Sequence, residues 1–140
     1  MLTDIDHSVN ARLCKSGSSA MTDIDLRYRH DDPLAARIVF TDPSTLDGSE
    51  VTWVFARDLL ADGLHGPAGE GNVRIFPFGT EHIMIEFQEA QQTTILELAH
   101  TAVRNFLSRT YEAVMAGEEF GHLNMDSALA AFFDGDAGAR

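Results

Sequence analysis

Between Ile5 and Leu13 every second residue (Ile5, His7, Val9, Ala11, Leu13) belongs to one set, and Asp6, Ser8, Asn10 and Arg12 between them are polar. A period of two is the mark of a strand with one buried face. The pattern returns where Ile24, Leu26 and Tyr28 alternate with Asp25, Arg27 and Arg29. Residues 36–41 (Ala-Arg-Ile-Val-Phe-Thr) and 50–56 (Glu-Val-Thr-Trp-Val-Phe-Ala) add two runs rich in β-branched and aromatic residues, which favour pleated, half-buried backbone. The breaks between runs carry turn chemistry: Ser16-Gly17-Ser18-Ser19, His30-Asp31-Asp32-Pro33, Asp42-Pro43 and Asp47-Gly48. Such a first half is committed to a sheet with one wet face, the antiparallel kind.

The period changes at Arg57. Arg57-Asp58-Leu59-Leu60-Ala61-Asp62 carries helical residue types, and Gly63 limits the helix to about two turns. Gly66, Pro67, Gly69 and Gly71 make His65 to Asn72 a loop. Val73–Phe78 and Ile83–Phe87 flank Gly79-Thr80 and predict a hairpin. Thr94 and Glu97 have capping-box spacing. They predict a long helix from there, with Ile95, Leu98, Ala99, Ala102, Phe106, Leu107 and Val114 on one stripe and Gly117 as its stop. Asn124 or Asp126 would cap a last short helix holding Leu129, Phe132 and Phe133, with residues 134–140 fraying. No repeat or low-complexity linker interrupts the chain, so one domain over residues 1–140 is expected. Strands followed by helices predict an α+β fold of twisted antiparallel sheet with one long and one short C-terminal helix.

Composition narrows the function. At 140 residues and 44% hydrophobic, the chain can bury a core without disulfide or metal staples. Cys14 is the lone cysteine, so no internal disulfide is expected. No run approaches the roughly 20 apolar residues of a membrane span, and Met1–Asp6 has two acids and no basic start. A cytoplasmic protein without direct membrane insertion is expected. Asp and Glu number 22 against 10 Lys and Arg, a formal net charge of -12, and Lys15 is the sole lysine. That balance disfavours nucleic acid, whose affinity rests on phosphate neutralisation, and anionic lipid. Proteins are the expected partners.

Motifs for chemistry are missing their essential parts. Gly66-Pro67-Ala68-Gly69-Glu70-Gly71 leads into a strand rather than a helix N-terminus, and Glu70 would repel a phosphate. The six histidines (His7, His30, His65, His82, His100, His122) include no pair at H-x-x-x-H spacing. Asp134-Gly135-Asp136-Ala137-Gly138 opens like a calcium loop but lacks an acid at the fifth position and a twelfth-position Glu. Cys14 has no activating histidine nearby, and no G-x-S-x-G elbow occurs. Asp23 and Asp25 share a strand face, where two solvated acids suffice as explanation. No catalytic residue, metal or cofactor is expected.

Two surfaces remain. Arg27-Tyr28-Arg29-His30, with Arg37 on the next strand, is the one candidate nucleic-acid site, although strand alternation sends Tyr28 to the face opposite Arg27 and Arg29. Phe120, Met125, Phe132 and Phe133 exceed what a short terminal helix needs for docking, so they are candidates for a partner or subunit surface.

Val51-Thr52-Trp53-Val54-Phe55-Ala56-Arg57-Asp58-Leu59-Leu60-Ala61-Asp62-Gly63-Leu64, followed by Pro67, Gly69, Gly71 and Val73-Arg74-Ile75-Phe76-Pro77, resembles the signature of the SsgA-like proteins of actinobacteria. Leu26, Tyr28, Asp32-Pro33, Ala35 and Phe40 upstream, and Phe106-Leu107-x-Arg109-Thr110 downstream, extend the resemblance over residues 5–133, nearest to the family's SsgB branch. Asn72 stands where the family often has Asp, and the Gly79-Thr80 connection is short for it. The resemblance implies a whirly-like fold, assembly as a homotrimer and a non-enzymatic role at division septa in sporulation-specific cell division. Its implied partners are FtsZ and other SsgA-like proteins. Within the signature, Trp53, Phe55, Leu59, Leu60 and Leu64 are expected in the core, Gly63 and Gly71 at special backbone geometry, and Arg57 and Asp58 at the surface.

Overall fold

The computed structural model describes residues 4–41 and 49–122. Seven strands form one sheet: β1 (Ile5–Lys15), β2 (Ser18–Tyr28), β3 (Ala35–Thr41), β4 (Glu50–Ala56), β5 (Val73–Phe78), β6 (His82–Glu89) and β7 (Gln92–Ala99). Helix α1 (Arg57–Gly63) joins β4 to β5, and α2 (His100–Ala113) follows β7. The strand order is β4-β3-β2-β1-β7-β6-β5, with every neighbouring pair antiparallel. The sheet is curled. Trp53 on β4 and Phe87 on β6 lie 3.4 Å apart between ring centroids, with Phe40 and Phe55 edge-on to this pair. Rings from opposite ends of the strand order therefore meet, and the concave face becomes the core.

Alternation places that core as expected. Ile24, Leu26 and Tyr28 of β2 are buried, as are Ile38 and Phe40 of β3 and Trp53 and Phe55 of β4. The β1–β2 turn is tight: Lys15 pairs with Ser18, and Ser16 (φ 49°) and Gly17 (φ 81°) both take left-handed backbone. This is the two-residue geometry that matches strand twist, and it extends β2 back to Ser18, six residues before its alternation becomes visible.

The largest departure from expectation lies at residues 92–99. They form β7 rather than the first turns of a helix: Thr94 and Glu97 pair with Phe87 and Met84 across the β6–β7 hairpin, and Leu96 and Leu98 are buried at period two. Helix α2 begins only at His100, ends at Ala113 and reaches Val114 as C-cap, short of Gly117. Neither helix has a side-chain N-cap. Carbonyls from elsewhere in the fold serve instead: Leu34 accepts from the Arg57 N–H (2.8 Å) and Glu81 from the His100 N–H (2.8 Å). Tertiary contact thus satisfies donors that a local cap would otherwise take.

Two glycine expectations need revision. Gly63 has ordinary backbone; its role is close packing, because a Cβ there would fall on the Ile75 side chain. Gly69, not Gly71, is the left-handed residue (φ 102°), and its missing Cβ makes room for the Val73 carbonyl. Next to it, Ala68 forms a two-way backbone bridge with Ile75 on the outer edge of β5.

Candidate functional site

Arg57 is the first residue of α1 and is 1% exposed, which corrects the expectation that it lies at the surface. Its neighbour Asp58 is exposed. The Arg57 Nη1 donates to the carbonyls of Thr110 (3.1 Å) and Val114 (2.7 Å), and Nη2 donates to a Glu119 carboxylate oxygen (2.8 Å). The guanidinium lies between aromatic rings, 4.1 Å from the Tyr111 centroid and 5.0 Å from that of Tyr28. Each partner answers a physical need. Carbonyls at a helix C-terminus lack intrahelical donors, a cation is favoured at that end of the dipole, and a planar fork holds several acceptors at once.

Glu119 completes the arrangement from a short 3-10 helix, Glu119–His122. Its other carboxylate oxygen accepts the Gly117 N–H at 2.8 Å, across a turn in which Gly117 has φ 87°. Hydrogen bonds from its own main-chain N–H, from Arg57 and from Gly117 hold the Glu119 carboxyl below its ordinary value of 4.5. Burial pushes the Tyr28 hydroxyl up to about 12, and that hydroxyl donates to the Pro33 carbonyl at 2.8 Å. The same cause raises Tyr111.

The consequence is a fixed turn with an apolar crest. The Glu118 N–H donates to the Met115 carbonyl and the Gly121 N–H to the Glu118 carbonyl. Met115 is 61% and Phe120 77% exposed, the two most exposed large apolar side chains among the described residues. Of the partner-surface candidates, Phe120 is thus placed in the open; Met125, Phe132 and Phe133 lie outside the described residues, as does the expected last helix.

The arginine candidates for a nucleic-acid surface come together differently. Arg27 and Arg37 stand opposite each other across the β2–β3 ladder. Arg27 pairs with Asp25 (3.1 Å) and Asp6 (3.6 Å), and Arg37 pairs with Asp32. Arg29 is exposed just beyond β2. It adds to the pull of the His30 N–H and ring that lowers the Asp4 carboxyl. Tyr28, 0% exposed, points into the core. Arg27 and Arg37 are thus already paired with carboxylates, and Tyr28 offers no ring to stack on a base.

Other titratable groups act structurally. Arg109 donates to His7 Nε2 (2.9 Å), and the His7 ring sits edge-on to Phe106. Burial, then the Arg109 charge, lowers the His7 pKa. Cys14 is a half-buried free thiol. Among the described residues no group of three or more His, Cys, Asp or Glu is placed to hold a metal, and no helix is long and apolar enough to cross a membrane.

Sequence reasoning could not find Arg57, because its acceptors lie 53 to 62 residues later in the chain. An arginine opening a helix directly after an apolar strand, with no acid at helical spacing, is the faint signal.

Comparison with known proteins places this geometry in a family. Residues 22–119 match the family described as Streptomyces sporulation and cell division protein, SsgA. The chain is 37% identical over 134 residues to the sporulation-specific cell division protein SsgB of Streptomyces coelicolor, covering 93% of this chain and 96% of that one. It is 38% identical over 115 residues to the SsgB of Saccharopolyspora erythraea, covering 81% and 79%. Two solved structures share the fold. The Thermobifida fusca SsgA-like sporulation-specific cell division protein superposes with a TM-score of 0.79 at 31% identity, over 94% of this chain and 96% of that one. The Streptomyces coelicolor SsgB structure, from work on mutations that correlate with longitudinal cell division during sporulation, gives 0.75 at 35% identity, over 88% and 98%. The family match over residues 22–119 and these relatives establish that the chain belongs to the SsgA-like family of sporulation and cell-division proteins and, within it, resembles SsgB.

Proposed function

We propose that this chain is a non-enzymatic adaptor of sporulation-specific septation, acting at division septa. It recruits or stabilises FtsZ through protein–protein contacts and works with other SsgA-like proteins. The observation that carries the reading is the fixed turn: Phe120 is 77% exposed on a segment that the buried Arg57 ties to the end of α2. Exposed apolar surface held on a rigid support is the kind of surface that protein partners cover. Assembly as a homotrimer would repeat that anchor on one body and raise its effective concentration along a polymer without tight single contacts.

The test is co-sedimentation of the purified chain with GTP-assembled FtsZ from the same organism. The expected result is pelleting that depends on polymer and falls when Phe120→Ser removes the anchor. Absence of polymer-dependent pelleting would overturn direct FtsZ contact. A monomeric, folded variant that bundles or recruits as well as the parent would overturn the multivalent mechanism.

A further inference from the structure

Resting on the reading of this turn as a contact surface, the inference concerns what it takes. The exposed charged side chains of α1, of the last turn of α2 and of the turn that follows are all acidic. Asp58 and Asp62 are exposed on α1, Glu112 on the last turn of α2 and Glu118 in the turn beside Phe120. The cation at their centre, Arg57, is buried and engaged with Glu119 and two carbonyls. Glu119 is neutralised in this way; Glu112 and Glu118 each lie within three residues of an exposed apolar side chain, Met115 or Phe120, along the chain, and Asp58 and Asp62 lie on the helix that Arg57 joins to this turn.

We infer that this crest docks a short segment of a partner protein that presents an apolar or aromatic side chain flanked by lysine or arginine. The apolar residue would cover Phe120 and Met115 and supply most of the affinity, as buried aromatic anchors do. Its basic flanks would meet Asp58, Asp62, Glu112 and Glu118, setting orientation and association rate. Complementarity, not total charge, makes the claim specific: the chain as a whole is acidic, so any basic peptide feels some attraction. An occupant lacking the apolar centre, or carrying acids beside it, fits poorly.

The experiment uses the full chain and three labelled hexapeptides, read by fluorescence anisotropy: Lys-Lys-Leu-Phe-Lys-Lys, Lys-Lys-Ser-Gly-Lys-Lys and Glu-Glu-Leu-Phe-Glu-Glu. The first is expected to bind more tightly than the other two. Phe120→Ser, which leaves net charge unchanged and alters an exposed side chain, weakens it by about tenfold. Asp58→Asn with Asp62→Asn weakens it by about fivefold and flattens its salt dependence. Glu70→Gln with Glu89→Gln, which removes the same charge from exposed positions elsewhere on the chain, leaves it unchanged. Equal binding by the Phe120→Ser protein, or equal loss from the Glu70/Glu89 pair, would overturn the inference in favour of general charge attraction. Sedimentation velocity on the same proteins separates a second copy from a partner: if Phe120→Ser changes the oligomeric state and not peptide binding, the crest is a self-contact and the inference fails. FtsZ pelleting is scored independently. Peptide binding without FtsZ pelleting supports the surface and rejects FtsZ as its occupant, whereas FtsZ pelleting that ignores Phe120→Ser supports the adaptor role and rejects FtsZ as the occupant of this surface.

Discussion

The molecule ties distant chain segments together at two places, by opposite means. At one, Trp53 and Phe87 stack with Phe40 and Phe55 around them, bringing the end strand β4 against β6, the last strand but one at the other end, through apolar contact. At the other, Arg57 gathers Thr110, Val114 and Glu119 through directional hydrogen bonds and a charge. The aromatic seam tolerates any condition that keeps water out and gains stability in proportion to buried area. The arginine clamp gains little net energy from each bond but leaves several buried groups unmatched if it fails. The first device supplies bulk stability; the second fixes the position of one turn. A surface that must be presented in one geometry needs the second.

Substitutions can set the two apart. Trp53→Ala opens a cavity in the seam and is expected to cost about 3–5 kcal/mol, read as a drop in the urea midpoint of the whole domain. Arg57→Met keeps the stem but strands two carbonyls and a carboxylate; about 2–3 kcal/mol is expected. Amide exchange should show the loss concentrated in residues 110–122, whereas Trp53→Ala should raise exchange throughout the sheet. If Arg57→Met loosens β4 and β6 as much as α2, the clamp is not local and the comparison fails. Gly63→Ala pushes a methyl group into Ile75 and is expected to cost about 1–2 kcal/mol through overpacking of α1 on β5.

Acid sharpens the comparison without mutation. Because Glu119 is held below its ordinary 4.5 in the folded protein, it binds protons more readily when unfolded. Its contribution is complete above 4.5 and is lost as pH falls through the lowered folded value. Between neutral pH and that region, Glu119→Gln should melt below the parent, and the gap should close as the parent acidifies. A gap that stays constant with pH would assign the loss to packing instead of charge. The smallest effect is expected at the outer face: Arg27→Ser removes only exposed ion pairs and should change stability by no more than about 0.5 kcal/mol.

How much of this was legible from residues follows a physical rule. Strands β1 and β2 announce themselves by alternation, β3 and β4 by β-branched and aromatic residues, and β5 and β6 by flanking Gly79-Thr80. Residues 92–99 carry the same alternation in Leu96 and Leu98, but the β6–β7 turn contains Ala90 (φ 52°) and Gln91 rather than Gly, Asn or Pro, so nothing marked a hairpin. Thr94 and Glu97 then imitated a helix start. The true start at His100 left no trace because its capping acceptor, the Glu81 carbonyl, comes from another element. The site divides in the same way. Phe120 is legible as surplus apolar surface, whereas the burial of Arg57 is not, because the acceptors that bury it are set by tertiary folding alone.

The position of β1 has a consequence for how the protein is made. It lies between β2, its immediate successor, and β7, and the Gln92 to Ser16 side-chain bond across that junction spans 76 residues. During synthesis the first four strands precede β7, so residues 12–15 of β1 lack their partner on that edge until residues 94–97 emerge. An unpaired edge is a template for strands of other chains. Until residues 94–97 have been made, that short edge stays open to strands of sibling chains on the same message.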